Sequence, residues 1–515
     1  MFRHAKLKPL LVGLGLLLLA GFPGCAAPVT YQPADLTPPP VAREFRAAWI
    51  SSVGENSWLA PIPLTTAQQK AALIAMLDQA VQLRLNAIIF QVRPACDALY
   101  ASSIEPWSES LTGYMGRPPN PYYDPLEFAI TEAHKRGLEL HAWFNPYRAR
   151  HMSAKSPIAP NHISRTRPDL VRQYGPYLWL DPGERDVQDY SLRVVMDVVK
   201  RYDIDGVHFD DYFYPYHEKD AAGRDVDFPD NASWKKYGSK SGLSRTDWRR
   251  ENVNTFIQRV QSSIHAAKPW VKFGISPFGI WRPKNPPQIK GKDAYAELYA
   301  DSRKWLANGW ADYFSPQLYW GIAPPDQSFP VLLKWWDDQN LRGRYIWPGL
   351  DANKVGGAWT PDEIVNQLWL TRKQPGAAGA IFWGMKNLMP GPNGLAAKLT
   401  TEIYTSPALI PAFPWLSTNP PPARPALNIV PGKTSVRLSW GNSSGAAVQL
   451  WVLQRQVNGQ WLTNILPGTR NSCELSGHPE VIAVTPVDRV NRTGAPAVLQ
   501  LRPDGSSPAP GNSTR

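Results

Sequence analysis

Eight times between Phe45 and Trp383 the chain repeats one unit, a short apolar run followed by a stretch with helical punctuation. The runs fall at residues 45–50, 87–91, 138–143, 206–210, 271–276, 313–317, 344–347 and 379–383. They are strand-length, and their continuous apolar character suits strands buried on both faces. Helix starts are signalled by Thr66 with Gln69, Asp124 with Glu127 and Thr360 with Glu363, spacings at which side chains and backbone N–H groups satisfy one another as capping boxes. Lys135-Arg136-Gly137 supplies cations and a glycine stop where the second of these helices should end. Strict alternation of strand and helix predicts an α/β fold, a parallel (β/α)8 TIM barrel. A doubly wound open sheet is the rival, but no Gly-rich phosphate turn follows the first run.

The flanks read differently. Residues 1–25 carry Arg3, Lys6 and Lys8 ahead of an apolar run from Leu10 to Ala20 that is short for a membrane span, the pattern of a secretory signal. It closes on Gly21-Phe22-Pro23-Gly24-Cys25, which resembles a bacterial lipobox. That resemblance implies lipidation of Cys25, and Ala26 after it implies the periplasmic face of the outer membrane. Residues 26–43 read as a Pro-rich spacer, 44–405 as the barrel, 406–425 as a second Pro-rich linker and 503–515 as a disordered tail. Between linker and tail, 426–502 reads as a small β-sandwich: strands at 435–440, 448–457 and 481–487, with Asn458-Gly459 as a hairpin turn. Ser435-Val436-Arg437-Leu438-Ser439-Trp440 and Val484-Thr485-Pro486-Val487-Asp488 give this module a resemblance to fibronectin type III domains, with a spacer or interaction role.

Composition excludes several classes of function. With 43% hydrophobic and 19% charged residues the chain is neither a disordered solvating polymer nor membrane-embedded. The formal charge of +12 is not gathered into a Lys/Arg stripe, so nucleic acid is not the expected partner; an anionic envelope polymer suits an exported basic protein better. Apart from Cys25, only Cys96 and Cys473 remain, in different domains, so no disulfide framework is expected. The histidines His134, His141, His151, His162, His208 and His217 match no metal-ligand spacing, and neither metal nor cofactor is expected.

Reactive groups of such a barrel gather at the carboxyl ends of its strands. In order these ends offer Trp49, Glu55 and Trp58; Gln91 and Arg93; Trp143 and Asn145; His208, Asp210, Asp211, Tyr212, Tyr214 and Tyr216; Ser276, Trp281 and Arg282; Gln317, Tyr319 and Trp320; Asp351; and Trp383 and Asn387. Flat aromatic faces stack on sugar rings, while amides and guanidinium groups bond hydroxyl and acyl oxygens, so this collection points to carbohydrate. The expected substrate-binding set is Arg93, Trp143, Asn145, His208, Tyr214, Gln317, Tyr319, Trp320, Trp383 and Asn387. Asp210 and Asp211 are the sharpest feature. Two adjacent carboxylates at the end of an apolar strand raise one another's pKa, as a general acid at neutral pH requires. Alternation along a strand sends neighbours to opposite faces, so the chain must bend for both to serve one site.

Six motifs then carry a wider resemblance: Glu44-Phe45-Arg46-Ala47-Ala48-Trp49-Ile50, Phe90-Gln91-Val92-Arg93-Pro94, Ala142-Trp143-Phe144-Asn145-Pro146-Tyr147, Asp205-Gly206-Val207-His208-Phe209-Asp210-Asp211-Tyr212-Phe213-Tyr214-Pro215, Ser315-Pro316-Gln317-Leu318-Tyr319-Trp320 and Trp383-Gly384-Met385. In these the chain resembles the glycosyl hydrolase-like 10 family of bacterial exported proteins, over roughly residues 43–400. The resemblance implies a barrel glycoside hydrolase, commonly a lipoprotein, associated with peptidoglycan glycan strands.

Two mechanisms fit the residues. If Asp210 is a nucleophile, its partner acid must be Glu55, Glu105, Glu109 or Asp351, placed across the sugar. Adjacent aspartates suit better a reaction in which the substrate's own acetamido oxygen attacks, with Asp211 as acid and Asp210 as orienter, or the labels exchanged. The reading is a hydrolase of N-acetylated glycan; the alternative is a non-catalytic glycan-binding envelope lipoprotein, and a third possibility is a hydrolase of unacetylated polysaccharide. Residues 216–243 form either a lid over the groove or an unanchored excursion.

Overall fold

The computed structural model describes residues 1, 29–54, 56–60, 63–442 and 447–502. Beyond Met1 the expected signal segment, the expected lipidation site Cys25, the strand-end candidate Glu55 and the tail 503–515 lie outside the described residues. Among those described, no helix is long and apolar enough to cross a membrane.

All eight expected strands form, and they pair in parallel in chain order. They are β1 (Phe45–Ile50), β2 (Ala87–Arg93), β3 (Glu139–Phe144), β4 (Gly206–Phe209), β5 (Lys272–Ile275), β6 (Tyr313–Phe314), β7 in two pieces (Tyr345–Ile346 and Gly349–Asp351) and β8 (Gly379–Trp383). Pro348, which has no N–H to give, divides β7. The first piece pairs with β6, Tyr345 opposite Tyr313, and the second pairs with β8, Gly349 opposite Ile381. β8 in turn pairs with β1, Gly379 opposite Phe45, so the sheet closes on itself as a barrel. Each strand is followed by a helix: α1 (Thr66–Gln82), α2 (Pro125–His134), α3 (Arg185–Arg201), α4 (Arg245–Ala267), α5 (Ser302–Asn308), α6 (Phe329–Asp338), α7 (Pro361–Lys373) and α8 (Leu395–Lys398). The capping box of α1 sits one residue earlier than its sequence spacing suggested, at Thr65 and Gln68. Gln69 is instead buried, donating to the Leu64 and Leu111 carbonyls. Asp124 caps α2 as expected, whereas Thr360 precedes α7 without a side-chain cap bond.

Strand alternation divides the core in two. On β1, Ala48 and Ile50 face the helices while Phe45, Ala47 and Trp49 face the barrel interior. The interior is not purely aliphatic. Lys272 donates to Glu139 at 2.6 Å, Glu139 meets His141 at 3.1 Å, His141 meets the Tyr313 hydroxyl at 2.8 Å, and that hydroxyl meets His208 at 2.9 Å. Trp49 Nε1–H closes the column on His208 Nε2 at 3.2 Å. Since an indole N–H only donates, His208 Nε2 accepts and its proton sits on Nδ1. Tyr313 then donates to His141, and His141 to Glu139. Burial, reinforced by His141, holds the His208 pKa well below the ordinary histidine value, in keeping with a neutral ring. Two glycines make room: a Cβ on Gly206 would lie 2.5 Å from the His141 ring and one on Gly274 1.9 Å from Tyr313.

The C-terminal residues form two antiparallel sheets around Val436, Leu438, Trp440, Trp451, Leu453, Leu475, Ile482 and Val484. The expected hairpin at Asn458-Gly459 is present, both residues at positive φ. The stretch expected to be a spacer is partly structural: Tyr31–Pro33 pairs antiparallel with Ala497–Leu501 as an edge strand of this module. The linker is likewise no free tether, because Leu409, Ile410, Phe413 and Leu416 are buried. The module sits under the barrel, at the amino ends of its strands. There Asn491 donates to Glu139 at 2.8 Å, and Arg489 reaches Asp205 at 3.2 Å and accepts Lys272 on its carbonyl at 2.9 Å.

Replacing Lys272 with methionine strands the Glu139 charge in the barrel; at about 3–5 kcal/mol for a broken buried pair, the expected result is a clear drop in the barrel's urea unfolding midpoint.

Candidate active site

β4 ends at Phe209, and the chain bends at Asp211. The bend frees the two neighbouring side chains from strict alternation, Asp210 being held from β3 and Asp211 from β6. Asp210 faces the end of β3: Trp143 Nε1–H donates to its Oδ2 at 3.0 Å and Asn145 Nδ2–H to its Oδ1 at 3.1 Å. The Asn145 amide is oriented by its own backbone, its Oδ1 accepting the N–H groups of Arg148 at 2.8 Å and Tyr147 at 3.3 Å. Asp211 faces β6: Tyr216 donates to its Oδ2, and Gln317 Nε2–H donates to its Oδ1 at 3.1 Å and to the Ser276 carbonyl at 3.0 Å. With both amide hydrogens used, Gln317 presents only its oxygen to a ligand.

Both carboxyl groups are almost wholly buried. Burial pushes Asp210 up to about 7, and the neighbouring Asp211 adds to the rise against the pull of Arg148, Trp143 and Asn145. Burial also raises Asp211, opposed mainly by Tyr216 and Gln317. Arg148 is the cation facing the pair. It stands on the short strand Arg148–Arg150, paired with Tyr177–Leu180, and its guanidinium lies over the Tyr212 ring at 4.3 Å. This residue escaped the reading of strand ends because it lies beyond Pro146, in a loop ribbon with no periodic signature.

The floor is made of tryptophan. Trp383, half-buried at the end of β8, meets Trp49 and Trp143 edge-on at centroid distances of 6.1 and 6.0 Å. Trp143 thus both supports the floor and holds Asp210. Tyr319 and Trp320 stand half-buried beyond β6, Trp320 packing edge-on against Phe278 at 5.6 Å. Asn387 is half-buried after β8 and donates to Asn353 in the loop after β7.

Three expected ligand contacts are corrected. Arg93 is buried, forked onto Glu105 at 2.6–3.1 Å, and reaches the Asn145 carbonyl at 2.5 Å; it braces the site from beneath. His208 is fully buried in the barrel column below the floor. Tyr214 is fully buried against Phe228 and Tyr299, at 5.2 and 4.9 Å. The cause is shared: residues next to a strand end anchor the following loop as readily as they face the groove. That loop, the region left open as lid or excursion, is tied down by Arg249, which bonds Asp227 and Asp230. Of the other acids considered, Glu105 is taken by Arg93 and Tyr190, and Glu109 by the backbone of Lys155 and Ser156. Asp351 remains at the end of β7. Among the described residues no group of three or more His, Cys, Asp or Glu is placed to hold a metal ion.

Known proteins share this arrangement of sequence. The model of the family described as "Glycosyl hydrolase-like 10" matches residues 44–365. The chain belongs to that family. It is 41% identical over 400 residues to "Glycosyl hydrolase YngK" of Bacillus subtilis (strain 168), covering 75% of this chain and 77% of the relative. Identity to "Glycosyl hydrolase DigH" of Escherichia coli (strain K12) is 36% over 411 residues, covering 73% of this chain and 91% of the relative. Among solved structures, the glycoside hydrolase domain of PgaB (BpsB) from Bordetella bronchiseptica superposes with a TM-score of 0.46 at 14% identity, covering 70% of this chain and 98% of that one. The matched residues contain five of the six sequence motifs, and the sixth, Trp383-Gly384-Met385, follows at the end of β8; all but the Phe90–Pro94 motif contribute side chains to the groove or to the column beneath it.

A carboxyl group whose folded pKa lies above its unfolded value binds more protons when folded, so it favours the folded state less as pH rises between the two. For Asp210 that window runs from about 4 to about 7. The melting temperature of Asp210→Asn relative to the natural protein is therefore expected to shift in the variant's favour between pH 4 and pH 8; a difference that stays constant contradicts the placement of the charge.

Proposed function

We propose that the protein cleaves N-acetylated glycan strands of bacterial peptidoglycan by a retaining, substrate-assisted reaction. The observation that carries this reading is the pair of buried carboxyl groups, Asp210 and Asp211, held by separate donors beside a tryptophan floor. Membership in a glycosyl hydrolase-like family supports glycoside hydrolysis as the reaction class. The acetamido group as nucleophile is favoured because neighbouring aspartates stand on the same side of a sugar ring. Two-carboxylate mechanisms need groups about 5–5.5 Å or 6.5–9.5 Å apart across it.

In this reading the labels are exchanged relative to the first assignment. Asp210, pushed up to about 7, is the acid and gives its proton to the departing glycosidic oxygen. Asp211, fixed by the Tyr216 hydroxyl and the Gln317 amide, accepts the acetamido N–H as the acetamido oxygen closes on C1. Water then opens the cyclic intermediate, with Asp210 taking back a proton. Arg148 keeps the pair from accumulating two uncompensated negative charges. Trp383 supports the sugar face, and Trp143 couples that floor to the acid. The setting proposed for this chemistry is the envelope: an exported protein anchored through lipid on Cys25 at the periplasmic face of the outer membrane.

The test is release of new reducing ends from purified peptidoglycan, intact and stripped of stem peptides. Asp210→Asn and Asp211→Asn should each lower release by about 100-fold or more, with circular dichroism unchanged. Co-sedimentation without any reducing ends would identify a glycan-binding protein instead. Full activity in both variants would remove the pair from the mechanism.

A further inference from the structure

Asp351 is a buried carboxylate with bonding capacity to spare. Its side chain is only 12% exposed. Oδ1 accepts the Asn353 N–H at 3.2 Å. Among the described residues no hydrogen bond reaches Oδ2; Lys354 Nζ forms a long ion pair with it at 3.9 Å, beyond hydrogen-bond distance, and donates to the Tyr319 carbonyl. A carboxylate offers about four acceptor positions, so Oδ2, which keeps access to solvent, is free to accept a hydroxyl group brought by a ligand. The wall around it is fixed in advance, since the Asn387 amide bonds Asn353 and ties the loop after β8 to the loop after β7.

Its place in the ring of strands says what could meet it. Asp351 pairs in register with Trp383, the floor residue. In a closed barrel of eight strands β4 stands opposite β8, with β7 beside it, so Asp351 lies on the wall facing the aspartate pair. Tyr319 follows β6 on the same rim, and burial, together with the charges of Asp351 and Asp211, opposes its ionisation. A pyranose ring has the same polarity: C1 and C2, the reacting edge, are diametrically opposite C4 and C5, and C5 carries the C6 hydroxyl. In a 1,4-linked glycan with acetamido groups at C2 and ethers at alternate C3 positions, that primary hydroxyl is the one found on every sugar.

We propose that Asp351 is a specificity-determining residue that accepts the C6 hydroxyl of the sugar seated on Trp383. The inference rests on the reading of the groove as a site for N-acetylated glycan. Its consequence is that a sugar acetylated or deoxygenated at C6 is disfavoured, because such a sugar strips the carboxylate of water without replacing the hydrogen bond.

The experiment measures calorimetric binding of the β-1,4-linked N-acetylglucosamine tetramer and of its 6-deoxy analogue, together with reducing-end release from peptidoglycan before and after removal of C6 O-acetyl groups. The natural protein should bind the tetramer at least about tenfold tighter than the analogue and cleave the deacetylated wall faster. Asp351→Ser keeps a cap oxygen for the Asn353 N–H and withdraws the hydrogen-bonding group from the groove. It should bind the two oligosaccharides equally, raise KM and leave kcat and its pH profile nearly unchanged; Asp351→Ala provides a second variant should the first not fold. Equal binding of both probes by the natural protein overturns the proposal, as does discrimination retained in the variants. Loss of kcat restored by azide in Asp351→Gly would make this residue a nucleophile and overturn it equally. Selective binding without reducing ends leaves the role of Asp351 standing while the hydrolase reading fails; no binding of the tetramer by the natural protein removes both.

Discussion

The hydrogen-bonded column along the barrel axis is the interaction on which the rest of the molecule depends. From Lys272 through Glu139, His141, Tyr313 and His208 to Trp49, each donor meets an acceptor, and the direction of every proton follows from the indole at its end. Such a network in a low-dielectric interior is tolerable only when complete. Its completion fixes the height of Trp49, which supports Trp383, which packs on Trp143, which holds Asp210. The position of the acid is thus determined from the floor of the barrel upward.

The lower end of the same column explains the second module. The Glu139–Lys272 pair would have bonding positions unfilled at the open base of the barrel, and Asn491 and the Arg489 carbonyl arrive there from the C-terminal sheets to fill them. Val490 enters the interior apolar cluster beside Phe413. The β-module is therefore part of how the barrel is finished, whatever else its outer surface does.

Much of this was legible in the sequence. The eight runs announced the strands because buried parallel strands must be apolar on both faces, and the break in β7 is visible as Pro348. The aspartate pair stood out for the opposite reason, as charge where the pattern predicted none. Illegible were the facts that depend on which way a side chain turns after a strand ends. Arg93 and Tyr214 carry the residue types of a sugar site yet serve the framework, because a partner distant in sequence, Glu105 or Tyr299, claims them. Arg148 was invisible for the converse reason: its ribbon is formed with Tyr177–Leu180, a pairing that local pattern does not encode. Tyr31–Pro33, read as part of a spacer, finds its partner at the far end of the chain.

That last pairing sets where the first and last described strands lie. With Tyr31 opposite Leu501 on a single sheet edge, the first and last strands of the fold leave the molecule side by side, at the pole opposite the tryptophan floor. Neighbouring termini are the arrangement in which a fold tolerates reconnection of its ends. Chain continuing from either of these strands therefore starts on the side of the barrel away from its mouth.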